Sequence, residues 1–144
     1  SKGGQKGALI AAVRRRPTSQ ERQIEELLIK KSITFTRQAL VHGDTRRFVV
    51  DFALPSEESP KIIIEAKSLP NKFRKDLQMI SLAWRIIKMK QKYPGLLALV
   101  WLEGEIPPSA LQIVKDEADY VALNEPVENL SEIVETVTKH RSRV

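Results

Sequence analysis

Hydrophobic positions along the chain follow two rhythms. In "PTSQERQIEELLIKKS", Ile24, Leu27 and Leu28 recur at helical spacing behind Thr18, and Glu21 stands three residues after that threonine, the pattern of a capping box. This predicts a first helix from about Ser19 to Lys31. "ITFTRQALV" then alternates and is rich in β-branched residues, "HGD" reads as a turn, "RRFVVDFAL" alternates again, "PSEESP" is a loop and "KIIIEAK" is a third strand. Three strands with short links predict an antiparallel meander. From Asn71 to Lys92 there is no helix breaker, and Leu77, Ile80, Trp84 and Ile87 mark one face, expected to be the buried one; Trp84 and Trp101 are both expected in the core. "LLALVWL" is the continuous apolar run of a strand buried on both faces in a parallel arrangement. A short helix in "PPSALQIVKDEA", a strand in "DYVAL" and a closing helix in "PVENLSEIVETVTKH" complete the order α, β, β, β, α, β, α, β, α. The expected class is α/β, a mixed sheet with helices on both faces.

At 144 residues the chain is long enough for one core and short for two. Residues 1–17 carry five Lys/Arg, three glycines and no acid, which predicts a flexible basic arm ahead of a single domain at 18–144. No apolar run approaches the roughly 18 residues of a membrane span. Cysteine is absent and there are only two histidines, so disulfides and thiolate metal sites are excluded, and any metal should be a hard, oxygen-ligated ion. A cysteine-free chain fits a reducing compartment, with a cytoplasmic or nucleoid location expected. The net charge is +6, yet residues 1–95 hold 20 Lys/Arg against 9 Asp/Glu and residues 96–144 hold 4 against 9. A basic body beside an acidic tail points to a polyanionic partner, and DNA is the expected one.

The charges inside the strands change the picture most. Alternation places Ile63, Glu65 and Lys67 on one face of the third strand, with Glu65 and Lys67 about 6.5 Å apart. The same rule groups Val49, Asp51 and Ala53 against Val50, Phe52 and Leu54, so pairing of the two strands brings Asp51 beside Glu65. Carboxylates within apolar strands are costly to bury unless paired or bound to a cation. Mg²⁺ takes one or two carboxylates and keeps its other positions for water and phosphate oxygens. It lowers the pKa of a bound water and stabilises charge on phosphate, while a lysine beside it can orient the water or neutralise the phosphate.

Asp51, thirteen intervening residues, then Glu65-Ala66-Lys67 at the end of an apolar strand resembles the PD-(D/E)XK nuclease superfamily, the restriction-endonuclease-like fold, whose αβββαβ core has the order predicted here. The opening "ERQIEELLIKKSITFTR" is similar to that of archaeal Holliday-junction resolvases. The likeness covers roughly residues 18–104, with an extra αβα at the C-terminus. It departs from the family in having Val50-Asp51 for Pro-Asp and "VHGDTRR" for the Gly/Ser-rich stretch before the acid. The resemblance implies a Mg²⁺-dependent endodeoxyribonuclease of restriction, repair or junction-resolving type, with Mn²⁺ as a substitute. Asp51, Glu65 and the Ala66 carbonyl would hold metal, Lys67 would position the attacking water, and Glu21 would complete the shell, with Glu25 in reserve. Gln78 falls where RecB-like members carry a glutamine.

Arg14, Arg15, Arg16, Arg46, Arg47, Lys72, Arg74 and Lys75 are the basic residues expected to grip DNA phosphates. His42, in a turn beside Gly43, reads as a loop residue. Two cuts in a duplex need two active sites, so a homodimer is expected, and the acidic C-terminal helices are a candidate dimer surface or docking site for a further domain or protein. Two rivals stand beside the nuclease: a non-catalytic DNA-binding module of the same fold, and a protein-interaction domain in a larger nucleic-acid-processing assembly.

Overall fold

Thr18 starts the first element as its pattern predicts. In the computed structural model, which describes residues 16–69 and 74–142, its hydroxyl accepts the Glu21 N–H at 3.2 Å and Glu21 Oε1 accepts the Thr18 N–H at 3.0 Å. This closed capping box opens α1 (Ser19–Lys30). β1 (Thr36–His42), β2 (Arg47–Leu54) and β3 (Ile62–Leu69) follow, then α2 (Lys75–Lys92), β4 (Leu97–Gly104), α3 (Pro108–Lys115), β5 (Tyr120–Leu123) and α4 (Val127–Ser142). Arg14, Arg15 and Lys72, and most of the expected basic arm, lie outside the described residues.

The protein is α/β, with one five-stranded mixed sheet in the order β1-β2-β3-β4-β5. β1, β2 and β3 form the expected antiparallel meander, and β3, β4 and β5 run parallel. β4 therefore has a parallel neighbour on each side, which is why its sequence is apolar without alternation. Ala98, Val100 and Leu102 pack toward α2 and α3 with Met79, Leu82, Ile86, Leu111 and Val114. Leu99 and Trp101 pack toward α1 and α4 with Ile24, Leu28, Leu130 and Val134.

Two expectations fail. The buried face of α2 is Met79, Leu82, Ala83, Ile86 and Met89, whereas Leu77, Ile80 and Trp84 are exposed. Both stripes have helical spacing, and the inner one, which includes two methionines and an alanine, is the one that meets the sheet. Trp84 is thus a surface residue, while Trp101 is buried as expected. The second failure is strict alternation in β2. Phe48 and Val50 pack on the α2 side together with Ala53, but Phe52 and Leu54 pack on the α1 side. β1 breaks in step: Ala39 and Val41 lie in the α2-side core, whereas Arg37 pairs with Glu25 of α1 at 3.5 Å. Gln38, at the break, has φ of +46°, a left-handed backbone uncommon for a residue with a side chain. Both strands change face together, so their register is the same on the two sides of the break.

Candidate functional site

The break falls at Asp51. The β2–β3 ladder pairs Leu54 with Ile62, Ala53 with Ile63 and Phe52 with Ile64, and there it stops. Beyond that point side chains replace the ladder. Ala66 N–H donates to Asp51 Oδ2 at 2.7 Å, and Asp51 N–H donates to Glu65 Oε1 at 3.1 Å. Each strand thus offers a carboxylate to a main-chain donor beside the other's acid, and this holds the two acids together in the wedge between the strands. Asp51 and Glu65 are 8% and 2% exposed.

The electrostatics follow from that placement. Burial, then the neighbouring Glu65, raise the Asp51 carboxyl from its ordinary 3.8 to about 7, with Glu21 adding to the rise. The hydrogen bond from Ala66 and the charge of Lys67 pull the other way without cancelling it. Lys67 is half-buried on the strand that carries Glu65. Glu21 is buried at the first turn of α1, and the neighbouring Gln20 ties that turn to the sheet by donating to the Trp101 carbonyl at 3.3 Å. Among the described residues no three His, Cys, Asp or Glu side chains converge as a metal-binding cluster. The capping bond occupies one Glu21 oxygen, and the charge of Glu21 reaches the pair, where it adds to the rise at Asp51. Mg²⁺ takes few protein ligands, one or two carboxylates among them, and the Asp51–Glu65 pair meets that number.

One residue of the site escaped the sequence reading. Arg85 of α2 lies 3.0 Å from Glu65 Oε2 and also donates to the Val49 carbonyl, with its guanidinium 5.8 Å from the centre of the Phe48 ring. It is the counter-ion that allows Glu65 to be buried. The only signal for it in the sequence was a cation on the inward shoulder of an apolar helix.

The other candidates are scattered. Glu25 is engaged by Arg37, and Gln78 is exposed on α2. Arg16, Arg46, Arg47 and Arg74 are exposed. Lys75 departs from its expected role: it is 3% exposed and its ammonium donates to the Leu69 carbonyl, so it fixes the end of β3 and presents no charge to a phosphate. His42 ends β1 and is exposed. An open concavity of about 510 Å³, lined by Gly104, Glu105, Ile106, Pro107, Leu123 and Asn124, includes none of the carboxylates of the site.

No family model and no curated protein matches the chain. A solved structure described as a protein of unknown function, AF1548, superposes with a TM-score of 0.48 at 12% identity, over 72% of this chain and 55% of that one. The chain thus spans about half the length of that protein, and a likeness at this level carries no argument about function. Among the described residues no helix is long and apolar enough to cross a membrane.

Proposed function

We propose that the protein is a divalent-metal-dependent DNA endonuclease with a restriction-endonuclease-like core. The observation that carries this reading is the Asp51–Glu65 pair: two buried carboxylates held together where their strands part, one of them with its pKa raised to about 7. Such a pair is costly without a cation. Glu65 has Arg85, whereas at Asp51 burial and the neighbouring acids outweigh the hydrogen bond from Ala66 and the charge of Lys67.

Asp51 and Glu65 would hold Mg²⁺, with the Ala66 carbonyl as a further ligand. When bound, the ion would acidify a water and stabilise charge on the scissile phosphate. Lys67 orients that water and neutralises phosphate charge, and Glu21 adds negative potential beside the ion. Exposed Arg46 and Arg47 supply salt-sensitive grip on neighbouring phosphates. The mixed sheet and the order of elements agree with this reading, as does the basic charge of the first 95 residues.

The Arg85–Glu65 ion pair favours a second reading, a DNA-binding module in which Glu65 is a structural partner and no metal enters. Supercoiled plasmid and a four-way junction incubated with Mg²⁺, Mn²⁺ or EDTA, beside Lys67→Ala, separate the two. The nuclease cuts with metal, and the variant loses at least about a hundredfold in rate while still binding DNA. DNA bound but uncut under every metal condition would leave only the binding module.

A further inference from the structure

Trp84 is 41% exposed on the outer face of α2, and among the described residues no layer covers its ring. It is nevertheless held in place. Phe48 meets it edge-on at 5.5 Å between ring centres, the Arg46 guanidinium lies 5.6 Å from the indole centre, and the Lys88 ammonium lies 6.0 Å from it. Two cations from different elements thus flank one exposed ring. The same Phe48 ring also receives Arg85, the partner of Glu65. Trp84 and Arg85, neighbours in the chain, therefore contact one aromatic ring, and the indole and guanidinium lie within a span of a few nucleotides at roughly 3.4 Å each.

An exposed apolar patch rimmed by charge marks a binding surface. The sign of the rim decides between occupants. The rim carries Arg46 and Lys88 against Asp44, whose carboxylate lies 4.0 Å from Lys88, so its balance is cationic and favours an anionic occupant over a second copy of the same basic patch. A single-stranded nucleic acid supplies a base to stack on the exposed side of the indole and phosphates for the cations, in place of the long Lys88–Asp44 contact. We propose that Trp84 is a stacking platform for an unpaired nucleobase, with Arg46 and Lys88 holding the flanking phosphates. The protein would then favour nucleic acid with unpaired nucleotides a few positions from the phosphate presented to Asp51, Glu65 and Lys67. That last placement rests on the nuclease reading; the stacking does not.

The test is metal-free binding in EDTA, where no cutting interferes. Fluorescence anisotropy would compare a labelled oligothymidylate with a mixed-sequence duplex of equal length, for the wild type, Trp84→Ala and Trp84→Phe. Intrinsic emission adds a direct reading, since the other tryptophan, Trp101, is buried with its indole N–H donated to the Glu125 carbonyl at 2.9 Å. The expected result is quenching by the single strand and a loss of about tenfold in single-strand affinity for Trp84→Ala. Trp84→Phe should restore most of that loss, and duplex affinity should change less than about twofold. Equal single-strand affinity for all three proteins would overturn the proposal. So would a stable dimer that Trp84→Ala and Ile80→Asp both convert to monomer, because the patch would then belong to a second copy. Stacking without metal-dependent cutting would sink the nuclease reading alone, and cutting with single-strand affinity indifferent to Trp84 would sink the platform alone.

Discussion

Arg85 holds Glu65 at 3.0 Å and the Val49 carbonyl with the same guanidinium, so one side chain ties α2 to both strands of the carboxylate wedge. Removing it strands a buried carboxylate. Arg85→Ala should cost about 3 kcal/mol in urea denaturation without metal, the usual penalty for breaking a buried pair from one side. On the proposed function, millimolar Mg²⁺ should raise the midpoint of this variant more than that of the wild type, because a second cation then does what the guanidinium did.

Asp51 makes stability depend on pH in a direction unusual for a carboxylate. In the unfolded chain it ionises near 3.8, in the folded protein near 7. Between those values the folded state holds the extra proton, so stability falls as pH rises. Measured against Asp51→Asn, the wild type should be at its best below pH 3.8, lose ground up to about pH 7 and stay level above it. Urea midpoints across that range check the sign, and a wild type that gains on the variant with rising pH would contradict the burial of this acid. On the proposed function, Mg²⁺ binding at pH 6 should release a proton, visible as a buffer-dependent heat in calorimetry.

Glu21 serves the capping box and the acidic pair at once, and two substitutions separate these roles. Glutamine at this position still accepts from the Thr18 backbone. Glu21→Gln should therefore keep the helix and, by removing one negative charge, shift the Asp51 transition to lower pH. Glu21→Ala removes the cap as well and should cost about 1 kcal/mol of stability. The two variants compared by thermal unfolding and by the pH series settle the division.

Gly104 closes β4 with φ of +129°, and its N–H and C=O are both held by the Asn124 side chain, at 2.8 and 2.9 Å. A methyl group there would collide with the Leu69 carbonyl oxygen, which also accepts the Lys75 ammonium. Gly104→Ala should destabilise the fold by about 2–3 kcal/mol, and by displacing Leu69 it should disturb the segment that carries Lys67. Denaturant unfolding checks the first effect, and the cleavage assay, under the proposed function, the second.

The sequence made much of this structure legible. Thr18 and Glu21 announced α1, the unbroken apolar run announced a strand with parallel neighbours, and the charges within β2 and β3 singled out Asp51 and Glu65. What it concealed were relationships between elements. Alternation is a rule for a regular strand, and nothing in "VVDFAL" reveals that Asp51 sits at a break matched by Gln38 on the neighbouring strand. In the same way α2 carries two apolar stripes, and only the layer above the sheet decides which is buried. Arg85 was unreadable for the same reason, because its partner Glu65 lies on another element and only the packing of α2 on the sheet brings the two together.

The reciprocal bonds between the strands also make the site its own reporter. The amide protons of Asp51 and Ala66 are donated to carboxylate oxygens, where their neighbours in a ladder would be donated to main-chain carbonyls. Their chemical shifts should therefore track the ionisation of the two acids directly, and a proton–nitrogen NMR spectrum would read occupancy of the wedge from two peaks, with no label on any ligand.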